Sequence, residues 1–342
     1  MRRNRILLTA MLLAFSLFIA SGCSSDPEKT EEMGHSGEGP QKKMLAFCGG
    51  PTGGTFNFFA NKIASIISVR YDWLEISPKG SGGSVENLRT LSKNGADIAI
   101  VYSGDAFLGR NGKLPHDSTR YDHVQSLAFL YGAPAQLVVR RDADIDSVED
   151  LVGKVVAIGN PGSGAALSAE RYFKHLGLWG RFTHSNLGYS QAAAEFAAGK
   201  IDAFWVLVGY PNSSVIEAAS TSRIKLINVY DAAVASGFFD VYPFYSKVEI
   251  PVGTYDGQDE PIMTFQDSAL WCASEVLSAD TVYECLLAVY SQQGLRDMTA
   301  AHKAAKSMSL ATGLDGLSIP LHPGAIRFWQ EMGSEIPENL IP

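Results

Sequence analysis

The chain is poor in cysteine, carries no excess of positive charge and has only one long apolar run. Four cysteines in 342 residues exclude a scaffold built on disulfides. Lys and Arg number 28 against 36 Asp and Glu, a formal charge of −8, which argues against a nucleic-acid partner. A single apolar run excludes a polytopic membrane protein. With 46% hydrophobic and 19% charged residues the chain is neither disordered nor fibrous. The usual catalytic sets are missing too. The seven histidines, His35, His116, His123, His175, His184, His302 and His322, form no H-E-x-x-H motif and no Cys/His zinc spacing. Ser163 lies in Pro161-Gly-Ser-Gly164, which lacks the order of a nucleophile elbow. Asp259 and Glu260 are adjacent, so on an extended chain they point to opposite faces. His322 stands before Pro323 and Gly324 and reads as a packing or capping residue at a helix start. The expectation is a protein without catalytic residues, metal or cofactor.

What is present begins at the N-terminus. Arg2, Arg3 and Arg5 precede an apolar stretch from Ile6 to Ala20, followed by Ala20-Ser-Gly-Cys23. A basic start, an apolar middle and small residues before a cleavage point describe a secretory signal. The run is shorter than the ~20 residues of a spanning helix. Small residues directly before a Cys resemble a bacterial lipobox, in which Cys23 would be acylated after removal of residues 1–22. Ala20 stands where Leu is usual, and an ordinary cleaved signal with an incidental Cys is the alternative. Ser24 to Lys43 is polar, with Gly, Pro and Ser and no apolar period, and reads as a flexible tether. With Cys23 acylated, Cys48, Cys272 and Cys285 could form at most one bridge.

From Met44 the pattern alternates strand, Gly-rich turn and helix. Strands are predicted at 44–48, 73–76 and 96–101, and again at 154–158, 201–206 and 225–229. Helical spacing marks Phe56 to Ile67, Val85 to Leu91, Ala165 to Leu176 and Gln191 to Ala198. Such alternation implies βαβ units and a largely parallel sheet. At about 150 residues per domain the length accommodates two units. Leu127 to Val139 is apolar and long enough to cross between them, and Tyr242 to Pro261 is a second extended passage. Helical patterns near Val282 to Ser291 and Gly324 to Met332 have no sheet of their own and are expected to complete the first unit. The fold class expected is α/β, two βα lobes joined by two hinge crossings with a cleft between. Residues 44–135 and 246–342 would form one lobe and 136–245 the other.

Three Gly-rich turns, Gly49 to Thr55, Lys79 to Ser84 and Gly159 to Gly164, follow strands and open helices. Without Cβ atoms, such turns let backbone N–H groups approach a ligand, and the helix dipole favours negative charge there. Ligands of open sheets bind beyond the carboxyl ends of the strands, where these turns lie. Nucleotide chemistry does not fit. Gly49 to Gly54 has the spacing of a phosphate loop, but Thr55 follows directly and the Lys is missing. Gly159 to Gly164 lacks the G-x-G-x-x-G order. Recognition of an anion remains.

These stretches resemble the TAXI group of solute receptors for tripartite ATP-independent periplasmic (TRAP) transporters. The matching segments include Thr52-Gly-Gly-Thr-Phe56, Gly82-Gly-Ser-Val-Glu-Asn-Leu-Arg89, Gly95-Ala-Asp-Ile-Ala99, Pro161-Gly-Ser-Gly164, Gly209-Tyr-Pro211 and Ile319-Pro-Leu-His-Pro-Gly324, in family order from residue 44 to about 335. The resemblance implies a type II periplasmic-binding-protein fold and delivery of an organic anion, a glutamate-like amino acid or a dicarboxylate such as 2-oxoglutarate, to the integral-membrane subunits of a permease. It implies ligand contacts at Gly53, Gly54 and Thr55 of the first loop, with Asn57 beyond it. Further contacts are Tyr102 and Ser103 after the third strand, Gly162, Ser163 and Gly164 of the second-lobe loop, and Gly209 and Tyr210. Two departures bear on the ligand. Tyr102 stands where the group commonly has Gln, and Phe56-Asn57-Phe58 replaces Tyr-Tyr-Pro. The expectation is a receptor lipid-anchored through Cys23 on the periplasmic or cell-surface side of a bacterial membrane. A receptor of the same fold for an ABC importer or a sensor, and a secreted α/β enzyme, are the alternatives.

Overall fold

The computed structural model describes residues 42–342. The signal segment, Cys23 and almost all of the polar tether lie outside the described residues. Among the described residues no helix is long and apolar enough to cross a membrane.

The first strands and helices follow the apolar pattern closely. They are β1 (Lys43–Cys48), α1 (Thr55–Arg70), β2 (Leu74–Lys79), α2 (Ser84–Ser92), β3 (Ile98–Tyr102) and α3 (Ser103–Arg110). Phe56, Phe59, Ile63 and Ile67 of α1 are buried at helical spacing. β1 pairs in parallel with β2 on one side and β3 on the other. All five residues of β3 are buried, as befits a strand covered on both faces.

A second βα series occupies the middle of the chain. It comprises β5 (Val155–Ala157), α4 (Gly164–His175), β6 (Thr183–Ser185), α5 (Tyr189–Ala197), β7 (Ala203–Leu207), α6 (Ser213–Thr221) and β8 (Ile224–Ile227). β5 pairs in parallel with β6 and β7. Two short helices, α7 (Tyr230–Ala235) and α8 (Phe238–Val241), follow. They were not legible in the sequence.

Between the two series runs β4 (Val124–Arg140), a single strand of 17 residues. Its first part pairs antiparallel with β10 (Ile262–Ser274) and its last part with β7 and β8. The sheet path is therefore β2-β1-β3-β10-β4-β7-β5-β6, with β9 (Ser246–Ile250) on β10 and β8 on β4. The expected two-lobed α/β fold is the one observed. Two details differ from the sequence reading. The passage 242–261 is no bare connection, because it contains β9 and a turn that leads back into β10. The sheet is parallel within each series but antiparallel at its centre, because the chain traverses the hinge in opposite directions on β4 and β10.

The C-terminal helices α9 (Ala279–Val289), α10 (Gln292–Ala301) and α11 (Pro323–Glu331) return to the first series. There α9 and α10 pack on α1, and a 3-10 turn (Lys303–Ser307) follows α10. The Lys43 amino group donates to Thr281 at 2.9 Å, and the Trp329 indole donates to the Leu127 carbonyl at 2.8 Å. Cys48, Cys272 and Cys285 are buried and free, so none of the three is bridged. Burial raises the pKa of each thiol, that of Cys285 to about 12.

His322 is the capping residue the sequence suggested. Its Nδ1 accepts from the Gly324 N–H at 3.1 Å and its Nε2 faces the Leu277 carbonyl at 2.9 Å. With Nδ1 accepting, Nε2 carries the proton and the ring is neutral. Burial lowers its pKa below the ordinary 6.5, opposed by the Leu277 bond. A histidine with a depressed folded pKa supports stability above the unfolded value and loses that support as pH falls. His322→Ala should cost about 2 kcal/mol in denaturant unfolding at neutral pH, through the lost cap and the stranded carbonyl. His322→Asn, which keeps a cap acceptor, should recover part of it. Equal stability of all three proteins would refute the capping role.

Candidate functional site

Strands of the two series end toward one another, and the helices that follow them start there. Five helix N-caps meet at one small cavity: Gly54 of α1, Gly83 of α2, Tyr102 of α3, Ser163 of α4 and Gly188 of α5. The first residues of a helix have N–H groups with no acceptor inside it. Thr55, Phe56, Ser84, Gly164, Ala165 and Tyr189 are such residues, and all line the cavity. In α3 the corresponding donor is occupied, since the Gly104 N–H donates to Asp267 at 3.1 Å. Each N-terminus carries about half a positive charge, so the site has a positive potential built from backbone alone.

Side chains add hydroxyls and no charge. Among the described residues no Lys, Arg, His, Asp or Glu lines the cavity. The Ser163 oxygen accepts from the Ala166 N–H at 3.1 Å, and the Ser84 oxygen from the Tyr102 N–H at 2.9 Å. Both hydroxyl protons therefore remain to be donated. The Thr55 and Tyr131 hydroxyls are buried beside each other and have no further hydrogen-bond partner among the described residues. The donors on offer, from both lobes, suit an acceptor-rich guest.

The two lobes touch around this point. Tyr102 donates its phenol to the Leu207 carbonyl at 2.5 Å, which also accepts from Tyr189 at 2.9 Å. Ser213 donates to the Gly53 carbonyl at 3.1 Å. A Cβ on Gly164 would lie 2.4 Å from the Tyr102 ring and 2.6 Å from an Asp105 oxygen, so only glycine allows this approach. Gly83, at φ 122° and facing Ser163 across the gap, is similarly constrained. The enclosed volume is about 30 Å³, room for a water or two. This is a closed arrangement, and a solute the size of a dicarboxylate needs the lobes further apart.

Of the residues singled out in the sequence, Gly54, Thr55, Tyr102, Ser163 and Gly164 line the cavity. The others do not. Gly53 sits at the rim, its carbonyl bonded to Ser213 and Asn212. Asn57 lies further along α1, where its carbonyl accepts from Asn61. Ser103 turns its hydroxyl to the Gly316 carbonyl at 2.6 Å. Gly162 faces a separate recess beside Arg89. Gly209 packs on Ala304 and Tyr131, and Tyr210 lines a different cavity. Asn160 and Tyr189 were missed, and Ser84 was noted only as the end of a turn. Gly188-Tyr189 repeats the glycine-before-helix signal of Gly54-Thr55, but the helix starts two residues earlier than its apolar period suggests.

Behind Gly164 lies a buried ionic cluster. Arg171 of α4 pairs with Asp105 of α3 at 2.9 Å, with 3% and 0% of the side chains exposed. The guanidinium also donates twice to the Tyr245 oxygen, at 2.8 and 3.1 Å. Asp267 of β10 accepts from the Gly104 and Ser268 N–H groups, while its second oxygen and that of Asp105 lack partners. The pair ties helices of the two lobes together, and opening must hydrate both ions. Burial, then the negative Asp105 nearby, raises the Asp267 pKa to about 7, with Arg171 opposing.

A carboxyl whose folded pKa is raised stabilises most below its unfolded value. That stability is lost as pH rises through the folded value. Here the window runs from 3.8 to about 7. Asp267→Asn mimics the protonated acid and keeps the acceptor for Gly104 and Ser268. The variant should gain stability relative to the wild type as pH rises through this window, with the difference levelling above it, in denaturant unfolding at a series of pH values. A difference independent of pH would contradict the assignment.

Among solved structures, the MatC protein from Rhodopseudomonas palustris with bound malate is 16% identical over 77% of this chain and 88% of its own, with a TM-score of 0.51. The alkanesulfonate-binding protein SsuA from Xanthomonas axonopodis pv. citri, bound to MOPS, is 14% identical over 85% and 91%, with a TM-score of 0.44. A TctC solute binding protein from Polaromonas is 17% identical over 75% and 87%, with a TM-score of 0.46. The sequence profile of the NMT1-like family matches residues 47–333, nearly all of the described chain, and the chain belongs to that family.

Proposed function

We propose that the chain is an extracytoplasmic receptor that captures a small organic anion by closure of its lobes and delivers it to a membrane permease. The observation that carries this reading is the convergence of helix N-termini from both lobes on a cavity with no charged side chain. Each N-terminus contributes about 0.3–1 kcal/mol toward an anion, and more where water is excluded. Hydrogen bonds to a charged acceptor contribute about 1.5–3 kcal/mol each. Several such donors suffice for capture without a counter-ion. MatC, which shares the fold, holds malate, a solute of the class proposed.

In this reading the first series with the C-terminal helices moves as one lobe and the second series as the other, about the two crossing strands β4 and β10. The anion meets one set of donors while the lobes are apart. Closure then brings the opposing set, expels water and strengthens every bond made. Gly54, Thr55, Ser163 and Gly164 act through their amides and hydroxyls, while Tyr102 ties the lobes at Leu207. Gly53 supports the closed rim. Asn57, Ser103, Gly162, Gly209 and Tyr210 reach a guest only if the open form rearranges their loops. No bond in the solute is made or broken.

The finer assignment follows the TAXI resemblance. The solute is a glutamate-like amino acid or a dicarboxylate, the recipient is the membrane part of a TRAP transporter, and Cys23 carries the lipid that holds the receptor at the outer face of a bacterial membrane. Calorimetric titration with 2-oxoglutarate, glutamate and malate should give one-site binding for at least one. Ser163→Ala and Thr55→Val should each weaken it about tenfold or more, the loss of one hydrogen bond to a charge. No binding across the panel, or binding indifferent to both changes, would overturn the reading.

A further inference from the structure

Tyr210 and Pro211, which do not line the cleft, border a second cavity of about 600 Å³, within the size range of small-molecule sites. It lies at the hinge, with Phe129 of β4 and Gln266 of β10 among its lining residues. Its other walls are the β7–α6 loop, the β9–β10 loop and the 3-10 turn Lys303–Ser307. On a 3-10 turn residues three apart are eclipsed, so Lys303 and Lys306 stand on one side, and both line the cavity. Neither is within ion-pair distance of a carboxylate among the described residues. Burial, then the negative Glu249 nearby, raises the pKa of the Tyr210 phenol. The chemistry differs from that of the cleft. Here two ammonium groups stand beside an apolar wall of Phe129, Pro211 and Val248.

We propose that this cavity is a second binding site, for an organic anion with an apolar body. The anionic end meets Lys303 and Lys306, the body lies on Phe129, Pro211 and Val248, and the Tyr210 hydroxyl and Gln266 amide orient it. The Tyr210 loop and the 3-10 turn approach each other where Gly209 packs on Ala304. They belong to different series of the fold, so a guest that touches both favours the closed arrangement. Occupancy of one site then changes affinity at the other by the same factor.

The test uses anilinonaphthalene sulfonate, an aryl anion that fluoresces when bound, titrated into the purified protein. The expected result is saturable binding that Lys303→Ala with Lys306→Ala weakens about tenfold or more, equivalent to the loss of one strong charge contact. The corresponding double Arg variant should retain binding, since charge is kept. Ser163→Ala, in the cleft, should leave the dye affinity unchanged. Because the two lysines are exposed, thermal unfolding of the double Ala variant should match that of the wild type. Dye affinity insensitive to the double Ala change, or lost with Ser163→Ala, would overturn the second site without touching the function proposed for the cleft.

Discussion

The arrangement depends on backbone N–H groups that have no acceptor of their own. Thr55, Phe56, Ser84, Gly164, Ala165 and Tyr189 begin helices of both lobes, and all six line one cavity. A buried amide left without a partner costs about 1–3 kcal/mol. The site is thus poised to take up acceptors, from water or from a solute. An anion answers that need better than water, because it also meets the aligned dipoles.

This solution explains where the charged residues are. A lysine or arginine in the cleft would bind an anion from one lobe alone and reduce the difference between open and closed states. In the function proposed, donors divided between the lobes make closure the step that completes binding. The charges sit behind the cleft instead, where Arg171 and Asp105 join α4 to α3. Buried pairs of this kind contribute little net stability, and an offset of the lobes would leave a buried ion alone. Gly164 and Gly83 permit the approach. Any side chain at Gly164 would strike Tyr102 and Asp105 and hold the lobes apart.

Much of the fold could be read from local pattern. Strands such as β1 and β3 and helices such as α1 and α4 were evident because apolar period and glycine turns agree along the chain. β10 was not, because Ile262–Ser274 mixes Gln266, Asp267 and Ser268 into a strand that is central in the sheet. Those polar residues serve the hinge: Asp267 accepts from Gly104, and Gln266 borders the second cavity. The lining of the candidate cavity was legible where the signal was local. Gly54-Thr55 and Ser163-Gly164 announce a helix start. Tyr210 and Ser103 lie near the right strand ends, yet which way a side chain turns there is settled by distant partners such as Gly316 and Ala304. Tyr189 was hidden because the apolar period of α5 begins after its first turn.

The most direct measurement is a crystal structure of the protein with its solute bound. The account predicts an anionic group between α1 or α2 on one side and α4 or α5 on the other. Its oxygens should lie about 2.7–3.1 Å from main-chain nitrogens of both lobes, with no lysine or arginine within reach. An anion held by a cationic side chain, or by donors of one lobe only, would contradict it.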